Sequence, residues 1–107
     1  MSNAIDDVIR ERRHQIEREG FNPEHDDKHF GGELSKAAAG YADHAADVLA
    51  NGERGANWDA PCDWPWEDQY WKPTSPRRDL VKAAALIIAE IERIDREHFA
   101  RTEERSA

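Results

Sequence analysis

Ser75-Pro-Arg-Arg-Asp-Leu-Val-Lys-Ala-Ala-Ala-Leu-Ile-Ile-Ala-Glu-Ile-Glu-Arg-Ile-Asp-Arg-Glu-His-Phe99 is the stretch on which the fold turns. Ser75 is a good N-cap, and Pro76 suits the first turn, where its missing N–H has no intrahelical partner. Leu80, Ala84, Ile87, Ile91, Ile94 and His98 then recur at alternating spacings of four and three, which predicts one buried stripe of a helix over 75–99. Val81 and Ile88 widen the stripe, so the helix is expected to meet more than one neighbour.

Upstream, a first helix is expected over 4–19, with Ile5, Val8, Ile9 and Ile16 on one face and Gly20 placed to end it in the left-handed conformation. Asn22-Pro23 marks a turn, followed by the polar run Glu24-His25-Asp26-Asp27-Lys28-His29. A second helix over 33–51 carries the stripe Leu34, Ala38, Tyr41, Ala45 and Val48, and Gly52 is its natural stop. So much alanine implies close approach of a neighbouring backbone. The connection 52–73 holds Trp58, Trp64, Trp66, Tyr70 and Trp71 among three prolines. Aromatics of that size need covering, so the loop is expected to be ordered, with a short helical turn over 66–71. The tail 101–107 is polar and expected to fray. The fold class is therefore all-α: one domain over 1–107, a small bundle of three main helices with a long Trp/Pro-rich ordered loop between helices two and three.

Composition limits the functions. The chain has 107 residues, 15 basic and 23 acidic, for a net charge of −8. That balance disfavours a general affinity for nucleic acid or anionic membranes, and it permits divalent cations or a basic protein partner. Cys62 is the single cysteine, no long apolar run is present, and the expected setting is the cytoplasm. Because the apolar positions of helix two are mostly alanine, a monomer would bury a thin core, which favours a homo-oligomer.

Three constellations could carry chemistry. The first is the acidic–histidine turn, His25, Asp26, Asp27 and His29, with Glu33 at the start of helix two. Its carboxylates suit Mg²⁺ or Mn²⁺, ahead of Zn²⁺, for which the two histidines and a carboxylate would serve. The plainer alternative is a helix cap amid solvated charge. The second lies along the helices. Glu33, Gly40, His44 and Asp47 edge helix two, and Asp95 falls inside the apolar sector of helix three, where it needs a cation, a proton or an arginine such as Arg10 or Arg12. The third is the entrance to helix three. Lys72, Arg77, Arg78 and Lys82 set four basic residues against one acidic one, Asp79. Beside the free N–H groups of a helix start they could seat a phosphate, with Trp64, Trp66, Trp71 and Tyr41 stacking on a base. Alternatively, the arginines pair with the acids of helix one and the indoles are core. Nucleophilic catalysis has little support, since Cys62 lies between Pro61 and Asp63, with nothing to activate its thiol.

The run Glu19-Gly20-Phe21-Asn22-Pro23-Glu24-His25-Asp26-Asp27, then His29, Gly32-Glu33-Leu34, Ala37-Ala38 and Tyr41-Ala42, resembles a family of small phage and prophage proteins. Trp64-Pro65-Trp66, Trp71-Lys72-Pro73 and the segment from Arg77 to Arg96 continue the likeness, which spans residues 8–96. That family has no settled activity. The resemblance implies a phage-type accessory protein acting in the host cytoplasm. The basic, indole-rich entrance to helix three adds the expectation that it binds a nucleotide-like phosphorylated small molecule, and the acidic surface that it binds a host protein, in either case counteracting host defence. A partial resemblance runs to the all-α nucleoside triphosphate pyrophosphohydrolases of the MazG type, helical dimers in which a Glu-x-x-Glu and a Glu-x-x-Asp pair hold Mg²⁺. Glu92-Arg93-Ile94-Asp95 fits the second pair, and no Glu-x-x-Glu precedes it on helix two. The alternative expectation is thus a Mg²⁺- or Mn²⁺-dependent nucleotide pyrophosphohydrolase.

Overall fold

The computed structural model describes residues 3–20 and 22–106, with side chains to residue 100. Its helices are α1 (Ala4–Glu17), α2 (Pro23–Asp27), α3 (Glu33–Gly55) and α4 (Pro76–Ser106), with a 3-10 turn at Asp68–Tyr70 and no strand among the described residues. The all-α expectation holds. Three of the four helix starts are capped by a side chain; that of α3, at Gly32, is not. The Asn3 side chain caps α1 at the Ile5 N–H, and that of Asn22 caps α2 at the His25 N–H. Ser75 Oγ accepts from the Arg78 N–H at 3.3 Å, while Asp79 reaches back to the Thr74 N–H at 2.9 Å. Those bonds satisfy donors that a helix start leaves without intrahelical partners.

Four boundaries differ from the sequence expectation. Helix α1 ends at Glu17, two residues short of the expected 19. The polar run read as a turn is a short helix, α2, because Asn22 caps it and Pro23 takes its first position. Gly52 does interrupt α3, at φ 77°, but the chain resumes helical bonding for one more turn to Gly55. The segment expected to fray continues α4 to Ser106, while Ala107 lies outside the described residues.

Helix α4 is the middle element, with α3 on one flank and α1 on another. The α3 stripe behaves as its spacing predicts: Leu34, Ala38, Tyr41, Ala45 and Val48 are all buried. The α4 stripe does not. Leu80, Ile87, Ile91 and Ile94 are 45–51% exposed, and the covered positions are Val81, Ala83, Ala85, Leu86 and Ala89. Small side chains let α3 and α1 approach the alanine side closely, so the isoleucine ridge is turned away from both. On α1 the face expected to be apolar is also displaced. Ile5 and Ile9 are exposed, and Glu11, Arg12 and Gln15 are buried instead. Arg12 joins three elements through Asp26 on α2 at 2.8 Å and Glu92 on α4 at 3.0 Å.

The Trp/Pro loop is ordered, as expected, and its indole N–H groups hold it in place. Trp58 donates to the Glu53 carbonyl at 2.8 Å, Trp71 to the Trp58 carbonyl at 3.0 Å, and Trp64 to the Glu67 carbonyl at 3.2 Å. Gly40 makes room for it: a Cβ there would stand 3.3 Å from Pro61 and 3.4 Å from the Trp71 ring.

Candidate functional site

A cleft of about 850 Å³ opens above α4, between α1 and the Trp loop. Its floor is Lys82 and Leu86 of α4, with Tyr41 of α3 beside them. One wall is a row on α1 and just beyond it, Glu11, Gln15 and Glu19, spaced four apart and so on one side of the helix. The opposite wall comes from the loop and contains Trp64, Trp66, Tyr70 and Lys72, while His25 and His29 close one end.

The aromatic wall is built as a stack. Tyr41 lies nearly parallel to Trp71, ring centres 4.8 Å apart, and Trp64 meets both rings edge-on. Trp66 packs edge-on to Trp64 and to His29. Trp71, expected to contact a ligand, is therefore backing for Tyr41, while Trp64 and Trp66 line the cleft. The Tyr41 hydroxyl accepts from the Lys72 N–H at 3.2 Å. Burial pushes its pKa above the ordinary tyrosine value. Lys82 Nζ donates to the Lys72 carbonyl at 2.8 Å and lies 5.3 Å from the Tyr41 ring centre. Burial lowers its pKa from the usual lysine range, though Asp79 nearby opposes that. One lining group lacks a partner: Oε1 of the buried Gln15 accepts no hydrogen bond among the described residues. That oxygen is sealed beneath the wall, out of reach from the cleft, and leaving it bare costs stability.

At the closed end the two imidazoles face each other, with His25 Nε2 3.2 Å from His29 Nε2. His25 Nδ1 lies 3.2 Å from Asp26, and His29 Nδ1 lies 3.3 Å from Glu33. If both Nδ1 atoms donate to those carboxylates, two neutral rings are left with acceptor facing acceptor. The row closes with one added proton, or with a cation shared by the two Nε2 atoms. Carboxylates behind both rings are the usual support of metal-binding histidines.

Further ligands are not gathered there. Asp26 is fully buried and held by Arg12, Asp27 pairs with Arg96, and Asp95 is exposed on α4 without lining the cleft. No three His, Cys, Asp or Glu side chains among the described residues converge as a metal cage. The oxygen-rich set that Mg²⁺ or Mn²⁺ requires does not fit this arrangement, and Asp26 and Glu33 act on the histidines instead.

The histidine turn, the indoles and the arginines thus converge only in part. His25, His29, Trp64, Trp66, Lys72, Lys82 and Tyr41 meet in the cleft, but Arg77 and Arg78 line a separate hollow of about 280 Å³. Arg77 binds Asp7 at 2.8 Å and Arg78 binds Glu11, so they clamp α1 to α4. The edge formed by His44 and Asp47 secures the loop, His44 against Trp58 and Asp47 at the Asn57 N–H. Glu11, Gln15 and Glu19 were missed as lining residues. Their four-residue spacing was the available signal, masked by reading helix one through its isoleucines. No family model, curated protein or solved structure matches this chain.

Proposed function

We propose that the protein is a binding protein whose cleft takes a flat, anionic small molecule of nucleotide type. The carrying observation is the meeting of the Trp64 and Trp66 indoles with Lys82 in one concavity. Its volume lies within the ordinary range for small-molecule sites, about 300–1,000 Å³. An indole stacked on a base is worth roughly 1–3 kcal/mol. Lys82 has three donors and commits one to the Lys72 carbonyl, which leaves charge for a phosphate. In the setting implied by the resemblance, a phage accessory protein, such a site would sequester a nucleotide-type signal of the host. The hydrolase alternative gains no support from the carboxylates, which are spent on arginines and histidines.

The test is thermal unfolding in EDTA against mono-, di- and triphosphate nucleotides. At a hundredfold excess over Kd, a bound nucleotide adds about 2.7 kcal/mol, enough to raise Tm by more than about 5 °C in a domain of this size. Lys82→Met and Trp66→Ala should each reduce that rise. Arg77→Gln should lower the starting Tm and keep the rise. A flat response to every nucleotide, or a rise indifferent to Lys82 and Trp66, overturns the reading.

A further inference from the structure

The cleft opens on one side of the α3–α4 pair, and the opposite side carries a second feature that the proposed ligand does not use. On α4, Leu80, Ala84, Ile87, Ile91 and Ile94 form a ridge whose leucine and isoleucines are about half exposed. On α3, Ser35, Ala39, Ala42, Ala46 and Leu49 repeat the same four-and-three spacing, and all are at least partly exposed, Leu49 at 69%. The two helices run antiparallel, since Ser35 bonds Glu90 at 2.9 Å near one end while Tyr41 lies beside Lys82 further along. Projecting the residues at 100° intervals puts both rows on the side of the helix pair away from the cleft.

We propose that this face is the interface with a second copy of the same chain, completing a four-helix bundle. Three observations favour that occupant. The 3.5-residue period on both helices is the one that lets two helices interlock along a seam. One row is bulky, and the other is small at four of its five positions, Ser35, Ala39, Ala42 and Ala46. A two-fold axis therefore seats the isoleucine ridge of each copy in the alanine trough of the other, which is the self-complementarity that an isologous interface requires. Finally, none of the ten positions carries charge, although the chain is at −8. A basic partner drawn by that charge would dock where the acids are. Each row spans fourteen residue steps, about 21 Å, and two helices side by side make a patch on the order of 400 Å² in projection, comparable with the largest apolar patch of a typical monomer, which is often an interaction site.

The test is the mass in solution under reducing conditions, by sedimentation equilibrium over a range of concentrations. The expected species is twice 12.3 kDa. Ile87→Glu with Ile91→Glu should raise the dissociation constant by roughly a hundredfold or more while helical circular dichroism is retained, because the paired state would bury carboxylates without partners. Ala39→Glu, from the other helix, should do the same and guards against a folding defect in the first variant. A monomer at all concentrations, a trimer, or a dimer that survives both sets of changes overturns the assignment. Nucleotide binding by a dimer-deficient variant would leave the cleft reading standing, so the two proposals fail separately.

Discussion

Asp26 shows how a side chain that looks like a metal ligand can be structural. It is fully buried, 2.8 Å from the Arg12 guanidinium and 3.2 Å from His25, and so ties α2 to α1. Asp26→Asn keeps the shape and leaves the Arg12 charge buried with weaker compensation. Removing one partner of a buried pair costs about 3–5 kcal/mol, so a large loss in urea-unfolding stability is expected. Tyr41 makes a prediction about pH. Its folded pKa is raised, chiefly by burial, so the neutral phenol stabilises the fold below the unfolded value near 10. That contribution is lost as pH climbs from there through the folded value, because the unfolded chain gives up the proton first. Lys82, whose pKa is lowered, opposes this trend in the same alkaline range. Tyr41→Phe should therefore flatten the alkaline decline in stability, as read from denaturation midpoints at pH 8, 10 and 11.

Among the elements, α3 was legible and α4 only half so. Leu34 through Val48 could be read because α4 and the Trp loop cover the apolar side of α3, so apolar and buried mean the same residues there. Helix α4 is apolar on nearly every side between Leu80 and Ile94, and periodicity locates its strongest stripe without saying what covers it. Burial of the alanine side depends on the approach of two other helices, which no local pattern records. The short α2 was missed because five residues are too few to show a period, although Asn22-Pro23 held the start signal. Gly40 gives the element-scale prediction. Alanine there gains about 1 kcal/mol of helix propensity, and it presses a methyl group to 3.3 Å of Pro61 and 3.4 Å of Trp71. Overpacking costs about 1–3 kcal/mol, so Gly40→Ala should come out neutral to destabilising and should disturb the loop, read by near-ultraviolet circular dichroism. At an exposed mid-helix glycine the same change would stabilise.

Taken whole, the molecule is a slab of 57 × 37 × 23 Å. Its radius of gyration of 15.4 Å exceeds the roughly 13 Å of a compact chain this long, because α4 extends well beyond the helices packed on it. No helix is long and apolar enough to cross a membrane, among the residues described. The candidate site was partly readable because His25, His29 and the indoles are conspicuous types at close spacing. Arg77 and Arg78 were equally conspicuous, and their engagement by Asp7 and Glu11 depends on how α1 crosses α4. The confinement of every indole to residues 58–71 also has a practical meaning. Intrinsic tryptophan emission from this protein is a local signal: it reports the loop that supplies one wall of the cleft, through Trp64 and Trp66. Titration by fluorescence quenching therefore needs no dye, and a spectrum that stays constant as subunits separate would isolate occupancy of the cleft from assembly.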